Sequence, residues 1–258
     1  MTTMATVDPT TTPGRDVVFD AGRHDRAKLG FVLLAMEQTM ESDMFRLAPT
    51  GVGVHIARAP MANLVSVDTL LAMTDGIGDA AASILPDIDL DVVAYGCTSG
   101  SVVIGEDTVF DQLRRGAPTA KPTSLITAVM NALRELDVRR IVVATPYLHD
   151  VNVIERDYMQ ERGFQIVTIE GLGIEHDEDM ARVSPQYIAE FAASLDRADA
   201  EAVFISCGAL RSVEVIDQLE RELGKPVVTS NQALMWDCLR QAGLNDQFDG
   251  YGTLFRDH

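Results

Sequence analysis

The chain has 258 residues, 47% of them hydrophobic, and a formal net charge of −18. That length holds one large domain or two small ones around an ample core, and the charge opposes binding to nucleic acid or to an anionic membrane surface. Apolar runs such as Leu29 to Met36 are too short to span a bilayer, and three cysteines without a basic, apolar leader predict reduced thiols in a cytoplasm.

Residues 1–26 read as a disordered tail. Lys28–Leu34 then predicts a first strand, and Ala35–Asp43 a loop running into a helix. Val52–Arg58 alternates and is rich in β-branched residues, which predicts a second strand. Ser66–Leu85 carries helical spacing that ends at Pro86. Asp91–Tyr95 predicts a strand leading to Cys97. Gly105–Arg115 predicts a helix with acids in its first turn and arginines in its last, as the helix dipole favours. Ser124–Leu136 predicts another helix.

The series then starts again. Arg140–Tyr147 predicts a strand and its loop, Val151–Arg162 a helix closed by Gly163, and Phe164–Glu170 a strand. Ser184–Leu195 predicts a helix with Ser184 as N-cap and Pro185 at its first position. Ala202–Ser206 leads to Cys207. Val213–Leu223 predicts a helix, Pro226–Thr229 a short strand and Ser230–Ala242 the last helix. Strands and helices alternate throughout, so the class is α/β with parallel sheets.

An internal repeat is legible. Asp91-Val-Val-Ala-Tyr-Gly-Cys97-Thr-Ser-Gly-Ser101 and Glu201-Ala-Val-Phe-Ile-Ser-Cys207-Gly-Ala-Leu-Arg-Ser212 each run from an acid through a strand to a cysteine and small residues. Phe110-Asp-Gln-Leu113 recurs as Ile216-Asp-Gln-Leu219 in the helix after each cysteine, and Pro122-Thr-Ser124 is echoed by Thr229-Ser-Asn231. A period of about 110 residues is too long for a solenoid. It predicts two pseudo-symmetric lobes, 27–120 and 121–230, with the C-terminal segment 231–258 packing back on the first. Ligands of open parallel sheets sit beyond the C-terminal strand ends, so both cysteines would face one cleft.

Two thiols on one carbon make an acid/base pair. A free thiol has a pKa near 8.5, and a helix N-terminus after each cysteine would lower it and offer N–H groups to a carboxylate. Thr98, Ser99 and Ser101 add hydroxyls beside Cys97, and Gly208 lets the backbone after Cys207 approach a ligand. Tyr147, Glu37 and Gln38 stand at strand ends that face the expected cleft. Cys238 lies in an amphipathic helix and reads as core. His176-Asp-Glu-Asp179 reads as a solvated acidic loop. No nucleotide, Walker or zinc-protease motif occurs, so no metal and no organic cofactor is expected.

The pattern resembles the aspartate/glutamate racemase superfamily, within it the maleate isomerase and arylmalonate decarboxylase branch, and is most similar to ectoine-utilisation EutA-type proteins. The likeness covers about residues 27–245. It is carried by Gln38-Thr-Met-Glu41, Gly96-Cys-Thr-Ser-Gly100, Thr145-Pro-Tyr147 with Val151-Asn152, Gly171-Leu-Gly-Ile174, Ser206-Cys-Gly208 and Leu223-Gly-Lys-Pro-Val-Val-Thr-Ser230. The resemblance implies a cofactor-free site between the lobes, with Cys97 and Cys207 catalytic. It implies a carboxylate pocket at Thr98, Ser99, Tyr147 and Gly208, with Asn152 beside it. Decarboxylases of the branch carry glycine at the first cysteine position, which argues against simple decarboxylation here. Maleate isomerases carry Pro-Ser-Ser-Asn after the first strand, where this chain has Leu34-Ala-Met-Glu37. A carboxylate there repels a second substrate carboxylate by about 4 kcal/mol at 4 Å and an effective dielectric near 20.

The expected function is a racemase- or epimerase-type isomerase acting at a carbon α to a carboxylate, with a place in ectoine-derived amino-acid catabolism. The partner is a small carboxylate, with an amine on it suiting Glu37. The alternatives are cis–trans isomerisation by covalent addition of Cys97, arylmalonate-type decarboxylation, and a binding protein for a small acid. The sequence sets no oligomeric state and leaves a homo-oligomer open.

Overall fold

The computed structural model describes residues 16–258. Of the expected tail, residues 1–15 lie outside the described residues, and 16–26 form no helix or strand. The first sheet holds β1 (Ala27–Leu34), β2 (Val52–Ala59), β3 (Val92–Tyr95) and β4 (Lys121–Ser124) in the order β2-β1-β3-β4. The second holds β5 (Arg140–Thr145), β6 (Gln165–Gly171), β7 (Ala202–Ile205) and β8 (Val227–Thr229) in the order β6-β5-β7-β8. All pairings are parallel, and the same order is written twice, as the repeat predicts. The two strands that precede the cysteines, β3 and β7, are buried along their whole length, as expected of parallel strands covered on both faces.

The first lobe carries α1 (Met40–Leu47), α2 (Val67–Ala72), α3 (Thr74–Ser83), α4 (Thr98–Ile104), α5 (Glu106–Gly116) and, after β4, α6 (Leu125–Glu135). The helix expected over 66–85 is two helices joined at Met73. Its periodicity reads as continuous because both pieces bury one face, through Leu70, Ile77 and Ala81. The strand β4 is not among the expected elements, and it contains Pro122. Proline lacks the N–H of a ladder and is tolerated at a sheet edge, which is where β4 lies. The first sheet therefore runs past residue 120, where the repeat puts the lobe boundary.

The second lobe carries α7 (His149–Glu161), α8 (Asp177–Met180), α9 (Pro185–Leu195), α10 (Ile216–Leu223), α11 (Ser230–Gln241) and α12 (Gly252–Asp257). Ser184 caps α9 with Pro185 at its first position, as expected. A 3-10 turn, Ser212–Val215, precedes α10, which ends on left-handed Gly224. The helix α11 is buried from Ser230 to Leu239 and packs on α6, α1 and β3 of the first lobe. Asp237 fixes it there, accepting from Thr123 Oγ1 at 2.6 Å and Asn131 Nδ2 at 2.9 Å. Within the C-terminal segment it is α11 that lies against the first lobe. The final helix, α12, packs instead on α10 and β8 of the second lobe. Among the described residues no helix is long and apolar enough to cross a membrane.

Candidate active site

Cys97 follows β3 as the N-cap of α4. A serine or threonine oxygen usually fills that position; here Cys97 Sγ accepts the Gly100 N–H at 3.2 Å and stands 3.8 Å from Ser99 Oγ. A side chain on Gly100 would come within 2.8 Å of the Tyr95 hydroxyl and 2.9 Å of Cys97 Sγ, so the glycine makes room for the thiol and its tyrosine. The short helix α4 supplies the helix N-terminus expected after Cys97.

Cys207 follows β7 with φ +96°, a left-handed conformation that costs a non-glycine residue roughly 1–3 kcal/mol. Hydrogen bonds hold it there. Its N–H donates to Ser230 Oγ at 3.1 Å, and Asn231 Nδ2 donates to the Gly208 carbonyl at 2.9 Å and to Asp43 at 2.8 Å. Ala209 N–H donates to Cys207 Sγ at 3.4 Å. A side chain on Gly208 would lie 2.3 Å from Met40 Cε, so glycine here serves packing between the lobes as well as backbone access. No helix follows Cys207 directly; the expected helix start is a loop and then the 3-10 turn.

Both thiols line one cleft, together with Glu37, Thr98, Ser99, Tyr147, Asp177 and Gly208. Burial pushes the Cys97 thiol up to about 11, against the opposing pull of the Gly100 N–H and the Ser99 and Tyr95 hydroxyls. Burial raises Cys207 further; the charge of Asp177 adds to it, and the Tyr147 hydroxyl and the Ala209 N–H partly offset it. The lowering expected from helix N-termini is therefore outweighed by desolvation, and both thiols are protonated at neutral pH. Tyr147 itself is raised by burial and by the charges of Cys207, Glu155 and Cys97.

Asn152 and Gln38 stand apart from the cleft lining. Thr145 Oγ1 donates to Asn152 Oδ1 at 2.6 Å and accepts the Tyr147 N–H at 3.1 Å. Asn152 therefore positions the tyrosine loop from behind. Gln38 is exposed to solvent, because the chain turns Glu37 inward and the next residue outward.

Glu37 is 3% exposed, and its Oε1 accepts the N–H groups of Thr39 and Met40 at the start of α1, the latter at 2.5 Å. Its Oε2 is buried without a partner. Burial raises its pKa, opposed by those two N–H groups. Asp177 is 4% exposed with a buried, unpartnered Oδ2, and burial pushes it up to about 6. Three residues of the acidic run 176–179 are exposed as expected, and only its second, Asp177, leaves solvent and enters the cleft. The loops after β2 and β6 put it there. Val65 N–H donates to Glu175 O at 2.8 Å, Asp177 N–H to Asn63 O at 3.0 Å, and Leu64 bridges His176. These two loops, equivalent in the repeat, roof the cleft from opposite lobes. Beneath it, Glu155 is fully buried and pushed up to about 7 by desolvation, with the Ser206 hydroxyl drawing it partly back.

Ser230, Asn231 and Asp177 are the residues that sequence reasoning did not assign to the site. Ser230 and Asn231 were legible only as a repeat marker, and Asp177 only as one acid among four polar residues.

The sequence profile of the arylmalonate decarboxylase family matches residues 63–255. Arylmalonate decarboxylase of Bordetella bronchiseptica is 38% identical over 136 residues, 52% of this chain and 57% of that protein, so the match spans less than two thirds of it. A cysteine mutant of the maleate cis-trans isomerase of Nocardia farcinica, with a covalently bound succinylcysteine intermediate, superposes with a TM-score of 0.83 at 25% identity, covering 90% of this chain and 99% of that one. A double mutant of arylmalonate decarboxylase in its liganded form, with a glycine changed to cysteine and a cysteine to serine, gives 0.80 at 30% identity, covering 90% and 100%.

Proposed function

The chain belongs to the arylmalonate decarboxylase family, and from that premise we propose that it is a cofactor-independent isomerase that inverts a carbon α to a carboxylate. The observation that carries this reading is the pair of buried thiols, one from each lobe, lining a single cleft. One thiolate removes the α-proton and the opposite thiol returns a proton to the other face. Thr98 and Ser99 N–H groups, unbonded within the first turn of α4, and the Tyr147 hydroxyl support the enediolate-like charge that develops. At neutral pH only about one Cys97 in ten thousand is ionised if its pKa is about 11, so proton abstraction draws on a scarce, strongly basic thiolate. The place in ectoine-derived amino-acid catabolism belongs to the same proposal and is supported by the resemblance of the quoted segments alone.

The test is incubation of the protein in deuterium oxide with small α-substituted carboxylates, followed by chiral chromatography and proton NMR. Inversion with deuterium at the α-carbon supports the reading. Full inversion without deuterium entry refutes it.

A second reading is cis–trans isomerisation of an unsaturated acid by addition of Cys97. The succinylcysteine intermediate of the Nocardia relative favours it. A mass increase on Cys97 after maleate treatment of Cys207→Ser would support it, and an unmodified Cys97 would remove it.

A further inference from the structure

We propose that Glu37 and Asp177 together form a receptor for a protonated amine, so that the substrate is a zwitterionic amino acid rather than a dicarboxylate. This rests on the isomerase reading only for which carbon reacts.

The two carboxylates reach the cleft from opposite lobes, Glu37 from the loop after β1 and Asp177 from the roof after β6. Each is more than nine-tenths buried, and each keeps one oxygen out of water without a hydrogen-bond donor. A buried carboxylate oxygen without a donor costs several kcal/mol in a folded chain, and two at one cleft call for a cation or a shared proton. Among the described residues no cation reaches either of these two oxygens. Among the residues that line the cleft none is lysine, arginine or histidine. The nearby guanidinium of Arg58 donates to the Leu34 and Glu37 carbonyls and to Glu41, and leaves the Glu37 carboxylate to the cleft.

The size and number of groups choose among cations. Among the described residues no group of three or more His, Cys, Asp or Glu is placed to hold a metal ion, and a divalent cation of the hard class takes six or more oxygens. An ammonium has three donors and needs two or three acceptors, which the orphaned oxygens of Glu37 and Asp177 supply. The same cleft also holds groups of the opposite character, the Thr98 and Ser99 N–H groups and the Tyr147 hydroxyl, as donors for a carboxylate. The two thiols and the apolar side chains of Leu34, Met61, Val65 and Leu70 line it as well. Negative groups, donors and apolar carbon in one cleft match a short aliphatic amino acid.

The rival state is a proton held between Glu37 and Asp177, which would let the pair donate to a second carboxylate. Equilibrium binding to Cys97→Ala/Cys207→Ala separates the two, because this double variant binds without turning ligand over. Titration calorimetry at pH 7.5 uses both enantiomers of 2-aminobutyrate, aspartate and ornithine, against succinate and maleate. At least one monocarboxylate amine should bind about tenfold or more tightly than either dicarboxylate. Asp177→Asn and Glu37→Gln, added to that background, should each weaken it about tenfold and erase the preference. Because Glu37 also caps α1, the Asp177→Asn arm decides if Glu37→Gln lowers the melting temperature.

The proposal is overturned if succinate or maleate binds as tightly as the amines, if no amine binds, or if the preference survives Asp177→Asn. Failure of the isomerase reading would show elsewhere, as an absence of α-proton exchange in the unmodified protein while the binding preference stands.

Discussion

The Thr98 hydroxyl of the first lobe lies 3.0 Å from the Ser230 hydroxyl, and the same Ser230 oxygen accepts the N–H of Cys207 at 3.1 Å. One serine therefore couples the residue after the first cysteine to the backbone of the second. Ser230→Ala leaves the Cys207 N–H buried without an acceptor, at a cost of about 1–3 kcal/mol. It also frees the strained turn to relax. We expect an unfolding free energy from urea titration lowered by that amount and a kcat reduced at least tenfold with little change in KM. An unchanged kcat would show that the turn holds its shape without the serine.

The two cysteines predict different losses of different partial reactions. Cys97→Ala and Cys207→Ala should each abolish inversion. Each should still exchange the α-proton of the one enantiomer whose proton faces the remaining thiol. NMR in deuterium oxide with each enantiomer separately is the measurement, and either variant keeping wild-type inversion would end the two-base scheme.

Backbone strain at Cys207 gives a contrast between two inactive variants. With φ at +96°, glycine adopts the conformation freely and alanine does not. Cys207→Gly should therefore melt higher than Cys207→Ala, by the equivalent of about 1 kcal/mol. Equal melting temperatures would mean that the turn relaxes once the thiol is gone.

The pH dependence of activity follows from the raised thiols. Below its pKa, a general base gains about tenfold in active form per pH unit. With Cys97 pushed up to about 11, kcat/KM should keep climbing from pH 7 to 9 in buffers of constant ionic strength. A plateau below pH 8 would show that the thiolate forms far more easily than its burial implies.

Stability should move the other way with pH. Glu155 is raised from its ordinary 4.5 to about 7, so the native state holds its proton more tightly than the unfolded chain. Between those values native protein binds more protons, and stability falls as pH rises; below about 4.5 both states are protonated and the penalty is absent. Glu155→Gln should gain about 3 kcal/mol at pH 8 and nothing at pH 4. Asp177 and Asp43, both raised to about 6, add penalties of the same sign, so the wild type itself should be more stable at pH 5 than at pH 8. Urea denaturation at pH 4, 5 and 8 reads all three.

What the sequence by itself determined is the repeated plan. β-branched runs with a fixed helical interval settle α/β layering, and the matched Asp-Gln-Leu triplets and cysteines settle that two lobes share one topology. Cys97 and Cys207 were legible because a small polar residue at a strand end is placed by local geometry. Glu37 was legible for the same reason, standing in the turn directly after β1. Tertiary structure decided the rest. The strand β4 is one case, since only the sheet shows that the N–H missing at Pro122 falls on an edge. Ser230 lies 23 residues beyond Cys207, and although the repeat points to a C-terminal segment returning to the first lobe, nothing along the chain says that α11 lays its first hydroxyl between the two cysteine loops. Asp177 is the clearest case. A carboxylate in a polar run reads as solvated, because exposure is a property of what packs above it. Here the roof formed by the loops after β2 and β6 takes it out of water and turns it toward the thiols.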